Sequence, residues 1–367
     1  MKSWIEISES RLRSNISAIR AAAGESADVL AVIKADGYGH GAELIAPVLI
    51  DAGVEWLGVD DLDEGACVRS ALGNHDARVL VMCGMEPGDA DGIVEHRLTP
   101  VVWTPEHVEV MEAAADRAGR RVAVHLEVDT GMARQGAAPG AELDRVIATL
   151  RRTKWLRLEG IFSHLSSSEV REGRHTAAQL ERLQEALGAI FFDGVLLPEC
   201  MHLANSSALD EGSTTEWLQR TAGKVGASVL VRPGLAVYGY CLPIESENGG
   251  GLPRFSGAKS ELSHQVQPVL TWKTRIIGTR EVVPGQTVGY GATFVAERPM
   301  RLALLPIGYA DGFRREASSG LGDGWVMIAG RRAPVVGRVS MNLTVVDVTG
   351  VPEAADGVEA TLLGEGV

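Results

Sequence analysis

Lys34 stands where an apolar run ends and a glycine-rich one begins, in Ala31-Val32-Ile33-Lys34-Ala35-Asp36-Gly37-Tyr38-Gly39-His40-Gly41. An amine aimed from a rigid strand end and partly desolvated is a nucleophile toward carbonyl groups and can form a Schiff base. A second run, Val231-Arg232-Pro233-Gly234-Leu235-Ala236-Val237-Tyr238-Gly239, sets an arginine at a strand end and follows it with a glycine whose bare backbone lets a phosphate approach. With the Ser206 hydroxyl and the Tyr38 phenol, that run can form a phosphate cup. Taken alone it reads equally well as a barrel-closing turn with Arg232 paired to a surface acid. An amine, a phosphate cup and a cation together point to pyridoxal phosphate.

These groups need a scaffold that brings distant chain segments to one place. From Ser8 to about residue 240, short Val-, Ile- and Leu-rich runs alternate with amphipathic stretches, the pattern of repeated βα units around a parallel sheet. Strands are expected near Val29–Ile33, Trp56–Val59, Val79–Met82, Pro100–Trp103, Val122–Val128, Leu158–Ser163, Met201–Leu203 and Ser228–Val231. Helices are expected at Glu9–Ala23, Thr104–Ala118, Glu142–Arg152 and Thr176–Ile190, where apolar residues recur at three- and four-residue steps. Eight such strands favour a closed (β/α)8 TIM barrel, whose reactive groups sit at the strand ends. Lys34 ends the first strand, Glu127 and Arg134 lie at and after the fifth, His164 ends the sixth, Asn205 and Ser206 follow the seventh, and Arg232 with Gly234 follows the eighth.

After Tyr240 the helical period disappears. Glu245 to Ser263 is rich in Gly and Ser and reads as an exposed loop. Beyond it, Val269–Ile277, Arg301–Leu305, Trp325–Ile328 and Leu343–Val348 read as strands between Gly and Pro turns. The expected organisation is a barrel domain over 1–240 and a mostly β domain over 241–367, with residues 1–7 able to pair with the second.

The chain has 367 residues, 45% of them hydrophobic, and a formal net charge of −13. That acidity argues against nucleic acid and anionic membranes as partners, because a phosphate-neutralising surface needs excess Lys and Arg. Met1-Lys2-Ser3-Trp4-Ile5-Glu6 has no apolar signal region and no stretch is long enough to span a bilayer, so a cytoplasmic protein is expected. Cys67, Cys83, Cys200 and Cys241 are scattered without paired spacing and read as reduced, mostly buried thiols, with no metal site.

Seven motifs closely resemble those of alanine racemases, in order and over nearly the whole chain. They are the Val32–Gly41 run, Val128-Asp129-Thr130-Gly131-Met132-Ala133-Arg134, His202-Leu203-Ala204-Asn205-Ser206, the Arg232-Pro233-Gly234 turn, Val288-Gly289-Tyr290-Gly291-Ala292, Ile307-Gly308-Tyr309-Ala310-Asp311-Gly312 and Gly337-Arg338-Val339-Ser340-Met341. The resemblance implies a pyridoxal phosphate enzyme that interconverts L- and D-alanine, supplies D-alanine for peptidoglycan, and works as a homodimer whose active sites borrow residues from the partner's β domain. It makes Lys34 the Schiff-base lysine and the base on the D side, and Tyr290 of the partner subunit the base on the L side. Two bases are needed because one face of a planar carbanion is deprotonated and the other reprotonated. Arg232 would face the pyridine nitrogen with His164 in support. A guanidinium keeps its proton, so the ring nitrogen would stay largely unprotonated and the cofactor a restrained electron sink. Tyr38, Asn205, Ser206 and the backbone around Gly234 would hold the cofactor, while Arg134, the Met341 amide and Tyr309 would hold the substrate carboxylate or line its entrance. Serine or broad-specificity racemisation is the nearest alternative, and a non-catalytic pyridoxal phosphate-binding protein the alternative from another class.

Three departures stand out. Glu127 occupies a position where many alanine racemases have lysine, carbamylated in some, and would supply directly a fixed negative charge that orients Arg134. Asn342 replaces an aspartate common after the substrate-contacting methionine. Family members usually continue past Thr361-Leu362-Leu363-Gly364 for a few tens of residues, including a tyrosine that helps hold the cofactor phosphate, whereas this sequence ends at Val367. Either the sequence is clipped or the β domain is reduced with a less complete phosphate site, and native mass measurement separates the two.

Overall fold

Eight parallel strands close on themselves in chain order: Ala27–Val32, Trp56–Val59, Arg78–Val81, Thr99–Val102, Val122–Glu127, Leu156–Phe162, Cys200–His202 and Ser228–Val231. Leu230 pairs with Asp28 on one side and His202 on the other, which completes the ring. The barrel expected from the alternation is present, with strand ends within two residues of those read from sequence. Hydrophobic runs buried on both faces suit this arrangement, because each strand packs helices outside and side chains inside. This computed structural model describes residues 2–171, 173–192, 196–246 and 261–364.

Strand side chains alternate, so every second residue faces the barrel axis. The inward set includes Leu30 and Val32, Trp56, Leu80 and Met82, Val101 and Trp103, Phe162, Cys200 and Leu230, which form one apolar cluster. Glycine makes room where this interior is tightest. A Cβ on Gly58 would lie 2.6 Å from Met82 Sδ, and one on Gly160 would lie 2.5 Å from His125 Nδ1.

The barrel belongs to a compact unit of Glu9–Gln267, and the second unit joins Met1–Ser8 to Pro268–Val367. The division falls at Gln267, later than the composition change after Tyr240, because Glu261–Gln265 is a helix packed on Glu9–Ala23. The expectation of an exposed loop over Glu245–Ser263 is corrected at both described ends. Glu245–Ser246 pairs in parallel with Val170–Arg171, Glu245 is buried, and Leu262 of the helix is buried as well. Residues 247–260, the centre of that expected loop, lie outside the described residues, as do 365–367 at the chain end.

In the second unit, a five-stranded sheet runs in the order Ser3–Ile7, Leu270–Arg275, Glu359–Leu363, Trp325–Ile328, Arg331–Pro334. Ser3–Ile7 pairs antiparallel with Leu270–Arg275, Ile5 opposite Trp272. A three-stranded antiparallel sheet of Gly278–Val282, Met300–Leu305 and Thr344–Asp347 lies beside it in the same unit. Residues from both sheets, including Leu305, Val326, Ile328, Val346 and Leu362, share one core. No helix among the described residues is long and apolar enough to cross a membrane.

Asn15 ties the first helix to the end of the barrel unit. Fully buried, its Nδ2 donates to Val237 O at 3.0 Å and Gln267 O at 2.9 Å, and its Oδ1 accepts from Gln267 N at 2.8 Å. Asn15→Ala strands the buried Val237 carbonyl while the groups of Gln267 reach water, so a loss of about 2 kcal/mol is expected. A lowered urea midpoint with unchanged slope checks this.

Candidate functional site

The inward phase of three barrel strands continues past the apolar layer into polar residues. Val32 is followed two positions on by Lys34, His125 by Glu127, and Leu230 by Arg232. This places an amine, a carboxyl and a guanidinium at the C-terminal mouth, where barrels of this class carry their chemistry. Lys34, Tyr38, Glu127, Arg134, His164, Asn205, Ser206, Arg232 and Gly234 all line one cavity of about 360 Å³.

The strand ends at Val32 rather than at Lys34, and the residues after Lys34 form one turn of left-handed helix instead of a loop. Ala35, Asp36, Gly37 and Tyr38 have φ of 51°, 52°, 63° and 56°. Three of these are not glycine, which makes the turn strained. It is fastened by Gly37 N to Ile33 O at 2.7 Å, Gly41 N to Asp36 O at 2.9 Å and Ala42 N to Asp36 Oδ1 at 2.7 Å. The turn carries Tyr38 to Gly234, where a Cβ would sit 2.5 Å from the phenol oxygen. Gly234 is therefore required by close approach.

Lys34 Nζ donates to Asp60 Oδ1 at 3.1 Å and to Cys83 Sγ at 3.3 Å. Burial disfavours its ammonium, Cys83 and Asp60 favour it, and the balance lies above the ordinary lysine value. Burial pushes the Cys83 thiol up as well, so it is neutral near pH 7 and Asp60 is the charge that holds Lys34 at rest. Cys83 is exposed and lines the site, contrary to the expectation of a buried thiol without chemistry, and Cys67 is also exposed.

Ser206 Oγ accepts from Gly234 N and from Ala236 N, both at 3.1 Å. With two donors pointing at its oxygen, the hydroxyl has its own proton to give to an anion. Tyr38 is pushed up by burial, so its phenol remains a donor. Asn205 acts through its neighbours: its Oδ1 accepts from Ala208 N at 3.0 Å, capping Ser206–Glu211, and from Ser168 Oγ at 2.9 Å.

Arg232 is 2% exposed and fully engaged on one side. Its Nη1 donates to His202 Nδ1 at 2.9 Å, and its Nη2 donates to Ser163 O at 3.0 Å and His164 Nδ1 at 3.1 Å. Burial lowers its pKa to about 10, so it remains a cation at neutral pH. Burial first, then Arg232, Arg134 and Lys34, press His164 down to about 3. His164 is thus a neutral acceptor at Nδ1, as a partner of guanidinium must be. The histidine His202 went unassigned in the sequence, although it opens one of the quoted motifs and shares the inward phase of its strand.

Glu127 accepts from Gln135 Nε2, which also donates to Met82 O at 2.9 Å. The sequence expects Glu127 to orient Arg134; in the structure Gln135 makes the hydrogen bond to the buried carboxylate, and exposed Arg134, which forms no ion pair among the described residues, acts on Glu127 through its charge alone. Tyr290, Tyr309 and Met341 lie in the other unit and are 71%, 43% and 55% exposed. The loops of Tyr309 and Met341 are tied together there, Tyr309 N donating to Ser340 O at 3.1 Å and Ala310 N to Met341 O at 3.0 Å. Among the described residues no cluster of His, Cys, Asp and Glu has the arrangement of a metal site.

The donors present fit pyridoxal phosphate: an amine, a buried cation beyond it, and a cup of hydroxyl, phenol and glycine backbone on the same cavity wall. Comparison with known proteins agrees in family. Residues 7–242 match the family description "Alanine racemase, N-terminal domain" and residues 269–367 match "Alanine racemase, C-terminal domain". The alanine racemase of Symbiobacterium thermophilum is 34% identical over 361 residues, 98% of this chain and 87% of that protein. The solved alanine racemase of Streptomyces coelicolor A3(2) has a TM-score of 0.84 at 32% identity, covering 100% of this chain and 89% of that one. That of Bartonella henselae, solved with covalently bound pyridoxal phosphate, has a TM-score of 0.78 and covers 100% of this chain and 91% of that one; at 24% identity it speaks for the fold.

Burial raises the Glu127 carboxyl from 4.5 to about 6, against the opposing pull of Gln135, Arg232 and Arg134. Between those values the folded chain holds a proton that the unfolded chain has released, so this group's contribution to stability is greatest below pH 4.5 and declines as pH rises through 6. The total is about 2 kcal/mol. The lowered histidines His125, His164 and His202 give both proteins the opposite slope, so the check is a difference: across that range the stability of Glu127→Gln minus that of the parent, from urea unfolding, is expected to rise by about 2 kcal/mol.

Proposed function

The chain belongs to the alanine racemase family, and from that premise we propose that it interconverts L- and D-alanine with pyridoxal phosphate held in the barrel cavity. The observation that carries this reading is the convergence of Lys34, Arg232, Ser206, Tyr38 and Gly234 in the lining of one cavity. When bound, the cofactor supplies an aldehyde for an amine and a conjugated ring that takes up electron density from the substrate Cα.

The chain's own residues do the rest. Ser206 and Tyr38 would donate hydrogen bonds to the phosphate, which the bare Gly234 backbone would let approach. Arg232 would serve the ring nitrogen and, keeping its own proton, would limit electron withdrawal and disfavour transamination. Arg134, exposed at the mouth, binds the substrate carboxylate, and Tyr309 and the Met341 amide would reach the entrance from the partner subunit's β domain. Lys34 Nζ, once released from Asp60, takes or returns the proton at Cα on one face. Tyr290 of the partner subunit does the same on the opposite face, so the protein acts as a homodimer with shared sites. Production of D-alanine for peptidoglycan, in the cytoplasm, follows from this reading.

Purified protein supplied with pyridoxal phosphate and L-alanine is expected to yield D-alanine on chiral analysis, with L-serine as the comparison substrate. No D-alanine from a cofactor-loaded sample would overturn the assignment. Lys34→Ala is expected to lose the visible absorbance of lysine-bound cofactor. Tyr290→Phe is expected to keep that absorbance and to lose turnover in both directions by about 10²–10⁴-fold. Full rate in Tyr290→Phe would refute the two-base assignment.

A further inference from the structure

Behind Arg232, three buried polar side chains continue inward from the cavity toward the N-terminal ends of the strands. His202 on the seventh barrel strand, His125 on the fifth and Glu159 on the sixth are 1%, 0% and 4% exposed. Arg232 Nη1 lies 2.9 Å from His202 Nδ1, and His202 Nε2 lies 2.8 Å from His125 Nδ1. His125 Nε2 lies 3.5 Å from Glu159 Oε2, within ion-pair range, and neither buried atom has a hydrogen-bond partner. Glu159 Oε1 accepts from Arg157 Nη2 at 3.1 Å.

The direction of donation through these rings is forced. Guanidinium nitrogen only donates, so His202 Nδ1 must accept and the ring's single proton is on Nε2. That proton points at His125 Nδ1, which must then accept, so the proton of His125 is on Nε2. A charged ring at either position would set two N–H groups face to face. Burial lowers both imidazoles, in keeping with neutral rings. The chain therefore runs one way, from cation to carboxylate, and its far end requires an acceptor. Glu159 is that acceptor, held below the ordinary carboxyl range because His125 and Arg157 outweigh the burial that pushes it up.

We infer that Glu159, acting through His125 and His202, is a positioning residue for the reaction, holding the Arg232 guanidinium in the orientation with which it receives the cofactor ring. The inference rests on the reading that the cavity binds pyridoxal phosphate. Without an acceptor at position 159, His125 gains by moving its proton to Nδ1. His202 must then accept at Nε2 and carry its proton on Nδ1, facing the donors of Arg232. The guanidinium loses a partner and turns. Gly160 guards the same chain from another side, since a Cβ there would lie 2.5 Å from His125 Nδ1.

The test is side-chain ¹⁵N correlation spectroscopy of ¹⁵N-histidine-labelled protein, with and without pyridoxal phosphate, together with absorbance of the bound cofactor and steady-state kinetics. In the parent, His125 and His202 are expected as neutral Nε2–H tautomers in both samples. Glu159→Leu is expected to shift His202 toward Nδ1–H, move the cofactor absorbance maximum, and lower kcat on the order of tenfold, with KM for L-alanine within about twofold. Glu159→Gln, whose amide oxygen can accept from His125, is expected to restore most of both signals. Gly160→Ala is expected to reproduce the Glu159→Leu signature, and it decides the matter if Glu159→Leu does not fold. An Nδ1–H tautomer or a charged ring in the parent overturns the proposal. So does a folded Glu159→Leu or Gly160→Ala that keeps the parent tautomers and spectrum and loses only stability. A parent that binds no cofactor yet shows the expected tautomers would refute the cofactor reading separately.

Discussion

A cation buried at 2% exposure in the mouth of an apolar barrel is the constraint around which this unit is arranged. Desolvating the Arg232 guanidinium costs several kcal/mol unless fixed acceptors replace water. Ser163 O, His164 Nδ1 and His202 Nδ1 do so on one side, and the Phe162 ring lies 4.9 Å from the guanidinium carbon. Phe162 also stacks on His202, with centroids 4.4 Å apart. Each partner comes from the end of a neighbouring strand, so the cation is stable only if the register of the sixth, seventh and eighth strands is right. Shifting one strand by a residue would replace an imidazole by an outward-facing side chain. The apolar layer below and the polar layer above are therefore specified together.

The left-handed turn after the first strand is the second cost. An unfavourable conformation at Ala35, Asp36 and Tyr38 costs roughly 1–2 kcal/mol for each. The turn's backbone bonds and the Asp36 carboxylate offset this, and Asp36 N also donates to Glu64 Oε1 at 3.1 Å. A right-handed turn would not bring Tyr38 over Gly234 while leaving Lys34 on the inward phase. Strain at this point thus fixes two functional side chains with one short segment.

The strands were legible because β alternation and apolar runs are local properties, and Lys34 and Arg232 were legible because each breaks an apolar run at its end. The chain behind them was not. In the sequence, His125 and Glu159 are polar residues set between apolar neighbours in their strands, and only the closed register sets His125 beside His202 across the interior. The turn at Ala35–Tyr38 was hidden for a different reason: closely spaced glycines predict freedom of φ, not the sign that the intervening residues adopt. Gln135 was missed as the hydrogen-bond partner of Glu127 because its charged neighbour Arg134 is the plainer candidate in sequence, and side-chain reach inside a folded loop decides which of the two makes the bond. Glu245 was read as exposed from composition alone, whereas its two-residue strand finds a partner 75 positions earlier at Val170.

The mouth lacks the acidic excess of the chain. A net charge of −13 repels anions from most of the surface. Around the cavity, Lys34, Arg134 and Arg232 face Asp60, Glu127 and Glu169, three cations to three anions when all are ionised. Glu127, pushed up to about 6, loses its charge first on acidification, which makes the mouth more positive. His164, held near 3 by burial and these same cations, cannot join them. The field close to the placed cations Lys34, Arg134 and Arg232 therefore selects ligands by class, a phosphate and a carboxylate over neutral molecules of similar size. It does not distinguish one small amino acid from another, because alanine and serine carry the same charges. That choice falls to the fit of the side chain against the cavity wall, where one added hydroxyl changes binding by only about 1–3 kcal/mol.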